Sequence, residues 1–199
     1  FNKLQRISAY AMPRDILNKT DDELFILRQK GLKLLYIGLE TGDDELLSLI
    51  NKNETFQSSI DGTLKAHKAG IDTSIMILNG LGGKKYSQQH AKNSALLINK
   101  INPKYLSTLT LSFPYGREHF TKKFGGEYES PTLVDLYKEM KIFIENLDVK
   151  NVIFRSNHVS NNLNLEGILS RDNLQLIKNL ELAIKLTPVN LMPIEAEVL

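Results

Sequence analysis

Residues 33–42 read Lys33-Leu34-Leu35-Tyr36-Ile37-Gly38-Leu39-Glu40-Thr41-Gly42, and the fold turns on how they are interpreted. The unbroken apolar run from Leu34 to Leu39, bounded by turn residues, has the length and composition of a fully buried parallel strand. Its carboxyl end places one carboxylate, Glu40, ahead of Thr41 and Gly42. Asp43 and Asp44 then open an apolar-periodic helix carrying Leu46, Leu47 and Ile50. Sheets of α/β proteins meet their ligands at the carboxyl ends of their strands, so Glu40 stands where a ligand is read. The competing reading makes Glu40 a cap for the next helix.

Strand and helix patterns alternate on both sides of this stretch. Residues 4–11 suit a strand ended by Pro13, and Thr20 with Glu23 forms a capping box for a helix that stops at Gly31. A helix over 55–69 ends at Gly70, and a strand over 71–78 is closed by Asn79-Gly80-Leu81-Gly82-Gly83. Ser87 is the expected cap of a helix that runs to Pro103, and residues 105–113 alternate as a strand. The Pro- and Gly-rich stretch 114–130 reads as an irregular loop or lid. After Pro131 comes an amphipathic helix, then a short strand over 151–155, a polar run over 155–162, and a last helix from Ser170 to about Leu186. One domain over 1–187 with a loosely held tail over 188–199 is expected. Strand–helix repeats of this length imply a parallel sheet with right-handed crossovers.

Composition excludes several classes. A net charge of +2 gives no electrostatic case for nucleic acid or a membrane surface. No segment reaches the roughly 18–20 apolar residues of a membrane span, and no signal peptide is evident, so a cytoplasmic location is expected. The chain has no cysteine, hence no disulfide and no thiolate metal site. The first residue is Phe1, close to an expected strand, which suggests a piece of a longer fold.

Candidate chemistry is sparse. The Gly80–Gly83 run allows close backbone approach but lacks the Gly-Lys-Ser/Thr of a phosphate loop. His67 and His90 fall on helices and read as surface residues, and no histidine has metal-ligand spacing. Arg155, Asn157 and His158 belong to a polar run that satisfies either turn and cap hydrogen bonds or a ligand. No nucleophile–base pair can be named, and the residues lead as far as a ligand-binding α/β half-barrel.

Three motifs in this order resemble the later part of a radical S-adenosylmethionine domain: Arg6-Ile7-Ser8-Ala9-Tyr10-Ala11 before Pro13, Ile37-Gly38-Leu39-Glu40-Thr41-Gly42 with Asn51-Lys52 beyond one helix, and Ile77-Leu78-Asn79-Gly80-Leu81-Gly82-Gly83. Pro114-Tyr115-Gly116 and Phe154-Arg155-Ser156-Asn157-His158 extend the likeness to iron–sulfur oxidoreductases similar to oxygen-independent coproporphyrinogen oxidase and the elongator-type enzymes. The resemblance implies the later half of a (β/α)6 TIM-like partial barrel, with about the last four strands in this chain. It implies S-adenosylmethionine and a [4Fe–4S] cluster as cofactors, the cluster held by a C-x-x-x-C-x-x-C loop that this chain does not contain. By the same resemblance Glu40 hydrogen-bonds the cofactor and Lys52 pairs with its methionine carboxylate. Met76, Ile77 and Leu78 line ribose and adenine, Gly80 admits the base, and Ser8 and Tyr10 are further cofactor contacts. Relatives often carry an acid at the position of Met76.

The expectation is therefore the C-terminal portion of a radical S-adenosylmethionine oxidoreductase, inactive alone. It would need its missing N-terminal part and a reductant such as flavodoxin or ferredoxin. Arg155, Asn157 and His158 would contact a small-molecule substrate. A cluster-less binding or scaffold protein is the rival. An aldolase-like barrel fragment is weaker, since Lys33 and Lys104 precede their strands.

Overall fold

Apolar periods of two and of three to four residues alternate along the chain, and the elements follow them. The computed structural model describes residues 5–193; Phe1, Leu4 and the last six residues of the expected tail lie outside it. β1 (Ile7–Tyr10) leads through α1 (Pro13–Leu17) and α2 (Asp21–Gln29) to β2 (Leu32–Glu40). α3 (Asp44–Leu49) and α4 (Phe56–Lys68) lead to β3 (Asp72–Asn79), and α5 (Gly83–Ile101) leads to β4 (Tyr105–Thr110). α6 (Arg117–Lys123) and α7 (Leu133–Glu145) precede β5 (Ile153–Ser156), followed by β6 (Leu165–Ile168) and α8 (Asn173–Leu186).

The six strands form one sheet in chain order, the first five parallel and β6 antiparallel to β5. When parallel strands are added in sequence, right-handed crossovers place the helices on one face. Leu35, Ile37, Ile75, Ile77, Leu106 and Phe154 point into that helical layer and share a core with Ile98, Leu136, Phe143 and Ile144. Each such side chain, fully buried, contributes about 1.5–3 kcal/mol. The other face is half-exposed. Gly38 pairs with Met76, Met76 with Ser107 and Ser107 with Arg155, so these four form one row across it. This is the wall of a partial, open TIM-like barrel, the α/β class expected.

Several expectations need correction. β2 is not fully buried: Leu35, Ile37 and Leu39 are, but Tyr36 and Gly38 on the open face are half-exposed, because helices cover one side only. Six strands are present among the described residues: the five that the sequence pattern marks, against about four implied by the resemblance, and β6. β6 gives little signal in the sequence because Leu-Glu-Gly-Ile is four residues long and sets two residues disfavoured in strands, Glu and Gly, between its apolar ends. α5 begins at Gly83, four residues before Ser87, with no side-chain cap at Gly82. Its Lys84 N–H is satisfied at long range by the Glu129 carbonyl (3.0 Å). The stretch 114–130 contains helix α6. Of the expected tail, residues 188–193 return to α7, where the Leu191 carbonyl accepts the Leu133 N–H at 2.8 Å.

Candidate functional site

A bulge shapes the end of β2. Register with β3 shifts between Gly38 and Glu40, and Glu40 adopts φ 66°, a left-handed conformation uncommon for a residue with a side chain. The bulge folds the Glu40 carboxylate back over Gly38 on the open face; a Cβ on Gly38 would lie 2.5 Å from Glu40 Oε1. Lys52 arrives from the loop after α3, between Asn51 (φ 52°) and Asn53 (φ 56°), residues that tolerate this turn. Its Nζ donates to Glu40 Oε1 at 2.7 Å, and each side chain is 20% exposed. An ion pair so sheltered is stronger than a surface pair. Glu40 does not cap α3: that role falls to Asp43, whose Oδ1 accepts the Leu46 N–H at 3.0 Å.

The next residues lock the strand end onto α5. Gly42 N–H donates to Ser94 Oγ (3.0 Å), Asn93 Nδ2 donates to Asp43 Oδ2 (2.6 Å), and Thr41 Oγ1 meets His90 Nδ1 (2.8 Å). His90 is a buried core residue, 1% exposed, not the surface residue expected. Its Nε2 lies 3.0 Å from the Leu78 carbonyl, and burial lowers its pKa to about 4, so the ring is neutral. His67 too is half-buried, with Nε2 at 2.8 Å from Thr73 Oγ1. Periodicity located both helices but not the polar groups these rings would meet.

At the end of β3, Met76 and Leu78 face the open side while Ile77 is buried in the helical layer. Gly80 is enclosed. Its N–H donates to Glu139 Oε1 (2.6 Å), its carbonyl accepts the Tyr128 hydroxyl (2.8 Å), and Leu136 occupies the space a side chain would take. Glu139, 2% exposed, also accepts the Ser87 hydroxyl at 2.7 Å, and its Oε1 lies 3.7 Å from His90 Nε2. Burial raises its pKa to about 7. Sequence reasoning passed over Glu139; the signal was a carboxylate within the apolar stripe of α7, between Leu136 and Met140.

On β1, Ser8 and Tyr10 are exposed on the open face, and the Tyr10 ring lies 5.4 Å from that of Tyr36. At the far side of the sheet Arg155, Asn157 and His158 are exposed, while their neighbours are consumed structurally. Asn161 Nδ2 donates to the Thr108 carbonyl and to Ser156 Oγ, and Ser160 Oγ accepts the Thr110 N–H. The turn and cap reading of the polar run therefore holds for Ser156, Ser160 and Asn161, and Arg155, Asn157 and His158 stand exposed beside them. The sheet thus brings Glu40 and Lys52 together, sets Met76 and Leu78 beside them, and leaves Arg155 three strands away.

This arrangement offers a half-buried ion pair beside an apolar and aromatic floor, suited to a zwitterion with a flat ring. It does not fit an iron–sulfur cluster: the chain has no cysteine, and no group of three His, Asp or Glu side chains among the described residues could hold a metal. Among the described residues no helix is long and apolar enough to cross a membrane.

Comparison with known proteins gives a family match over part of the chain and likenesses of fold over most of it. The model of the radical SAM superfamily matches residues 6–96. No curated protein sequence matches the chain. Among solved structures it is similar to the archaeal Methanocaldococcus infernus Elp3 (TM-score 0.63, 13% identity), over 92% of this chain and 42% of that one. It is also similar to coproporphyrinogen III oxidase (HemN) from Escherichia coli, a radical SAM enzyme (0.54, 20%; 70% and 32% covered). A third is methylornithine synthase, PylB (0.51, 15%; 95% and 59% covered). At these identities the likeness is one of fold, and the chain spans a third to three fifths of each of these proteins. The radical SAM match thus takes in both Glu40 and Lys52, and the chain shares the partial-barrel fold of these structures.

Proposed function

We propose that the open sheet face is one wall of an S-adenosylmethionine pocket in a radical SAM oxidoreductase. This chain is then the later part of the barrel, and the cysteines that bind the cluster lie in polypeptide outside these 199 residues. The observation that carries the reading is the Glu40–Lys52 pair on the bulged end of β2, inside the matched segment. A bound methionine moiety is itself a zwitterion, so its carboxylate can take Glu40's place on Lys52 while Glu40 accepts a hydrogen bond from the cofactor. Met76 and Leu78 supply apolar surface for adenine, Ile77 backs that strand from the core, and Ser8 and Tyr10 flank it. Gly80, closed by Leu136, supports the turn from beneath. When bound beside a reduced cluster, S-adenosylmethionine supplies the radical chemistry; this chain's residues bind, orient and exclude water. An electron donor such as flavodoxin or ferredoxin serves the whole enzyme, and the chain alone is inactive.

The test is calorimetric titration of the 199-residue chain with S-adenosylmethionine. Saturable binding is expected, weakened about tenfold or more by Lys52→Ala, as loss of a charge-assisted hydrogen bond requires. Binding that is absent, or indifferent to Lys52→Ala and Glu40→Gln, overturns the reading. The complete lack of cysteine also favours a second reading, a cluster-less binding protein. Adenosine binding as tightly as S-adenosylmethionine would point there.

A further inference from the structure

The outer strand of the open face has a feature that the cofactor reading leaves unused. Arg155 lies on β5 in the row of Gly38, Met76 and Ser107 and is exposed, and its side chain makes no hydrogen bond or ion pair among the described residues. Glu166, directly across from it on β6, forms no ion pair with it. Asn157 and His158 follow on the same strand end, also exposed. His158 Nδ1 accepts the Ser160 backbone N–H at 3.1 Å, so the neutral ring carries its proton on Nε2. The outward group is therefore a donor. Arg155 and His158 both present N–H groups, and an arginine fork matches an anion with two oxygens.

The turn bearing these donors is braced from behind. Asn161 bridges the Thr108 carbonyl, the Thr110 hydroxyl (3.0 Å) and Ser156 Oγ, and the Ser160 hydroxyl holds the Thr110 N–H. The bracing fixes the turn and, through Ser160, the His158 ring, so that ring loses little freedom on binding, while the Arg155 side chain is left free to reach a ligand. β2 and β5 are three strand spacings apart, about 14 Å. A molecule spanning the floor between them meets Met76, Leu78 and Leu109 before it reaches Arg155.

We propose that Arg155 and His158, with Asn157 beside them, bind an anionic oxygen group, carboxylate or phosphate, of the substrate, at the opposite end of the open face from the Glu40–Lys52 pair. The proposal rests on the reading of that face as a substrate-bearing wall. It assigns the substrate an apolar body about as long as the sheet is wide between β2 and β5, ending in an acid.

The test uses the isotopically labelled chain, titrated separately with inorganic phosphate and with glutarate while the Arg155 Nε–H and His158 ring resonances are followed by NMR. A saturable shift at both positions is expected. It should weaken about tenfold or more in Arg155→Ala and partly in Arg155→Lys, and strengthen or stay unchanged in Glu166→Gln. A tighter response to one probe tells phosphate from carboxylate. Shifts that grow linearly with ionic strength, or persist in Arg155→Ala, overturn the proposal. S-adenosylmethionine added to the same sample reports near Glu40 and Lys52 instead, so failure of the cofactor reading and failure of the anion site give different spectra.

Discussion

Glu139 and His90 are both buried, 3.7 Å apart, and burial moves their pKa values in opposite directions, to about 7 and about 4. An unfolded chain has ordinary values of 4.5 and 6.5 for them. Between pH 4.5 and 6.5 the unfolded state therefore carries one proton on the histidine, while the folded state carries one on Glu139. Folding moves the proton without net uptake. Glu139 alone, with its pKa raised on folding, gives stability that is present below pH 4.5 and lost as pH rises through 7. His90 alone, with its pKa lowered, gives stability that is present above pH 6.5 and lost as pH falls through 4. Each contribution is about 3 kcal/mol, and across the shared window one falls as the other rises, so their slopes cancel. Chemical denaturation should show this pair adding no slope to stability from pH 4.5 to 6.5. Glu139→Gln should unmask a fall toward acid, and His90→Gln a fall toward neutrality. Slopes that do not differ in sign between the two variants would refute the exchange. Nothing in the local sequence foretold this coupling, because it joins residues on α5 and α7 that only the packed helical layer brings together.

At the scale of elements, the five parallel strands and most helices were legible because each shows an apolar run or period bounded by turn residues. The β2 bulge was not, since a single extra residue leaves the pattern Leu-Glu-Thr-Gly unremarkable until φ is known. The lid was half-legible: its glycines and proline were plain, but its anchorage was not. That anchorage sits at Gly83 (φ 56°), where an added Cβ would come 2.6 Å from the Glu129 carbonyl and 3.1 Å from the Tyr128 ring. The glycine run after β3 thus serves the lid as a socket. Tyr128 in turn packs edge-on against Phe113, Phe120 and Phe124, tying α6 to the strand ends. Gly83→Ala is expected to cost about 1–3 kcal/mol, from the left-handed backbone and the displaced lid together. Hydrogen exchange should then quicken over residues 117–129 while β2 and β3 stay protected. If exchange rises evenly across the sheet instead, the socket is part of the core and not a lid anchor.

At the scale of the molecule, a sheet with sequential parallel strands curls toward closure, and five parallel strands do not complete a barrel. Among the described residues β1 pairs only with β2, so its other edge presents unpaired backbone. The strand carries none of the usual deterrents to pairing: Ile7-Ser8-Ala9-Tyr10 has no charge and no proline, and Ile7 and Tyr10 are 41% and 81% exposed. The radical SAM match starts at residue 6, one residue before this strand, and the solved structures of this fold are longer chains. If further strands of the same domain belong beside β1, the edge is an internal seam left bare in the 199-residue chain. That chain should then self-associate as its concentration rises, and Ile7→Lys, which places a charge on the edge, should shift it toward monomer in sedimentation velocity. On that condition, a longer chain that supplies such strands should not associate, without any substitution. A 199-residue chain that stays monomeric at high concentration, with Ile7→Lys indistinguishable from it, would mean that this edge is already covered.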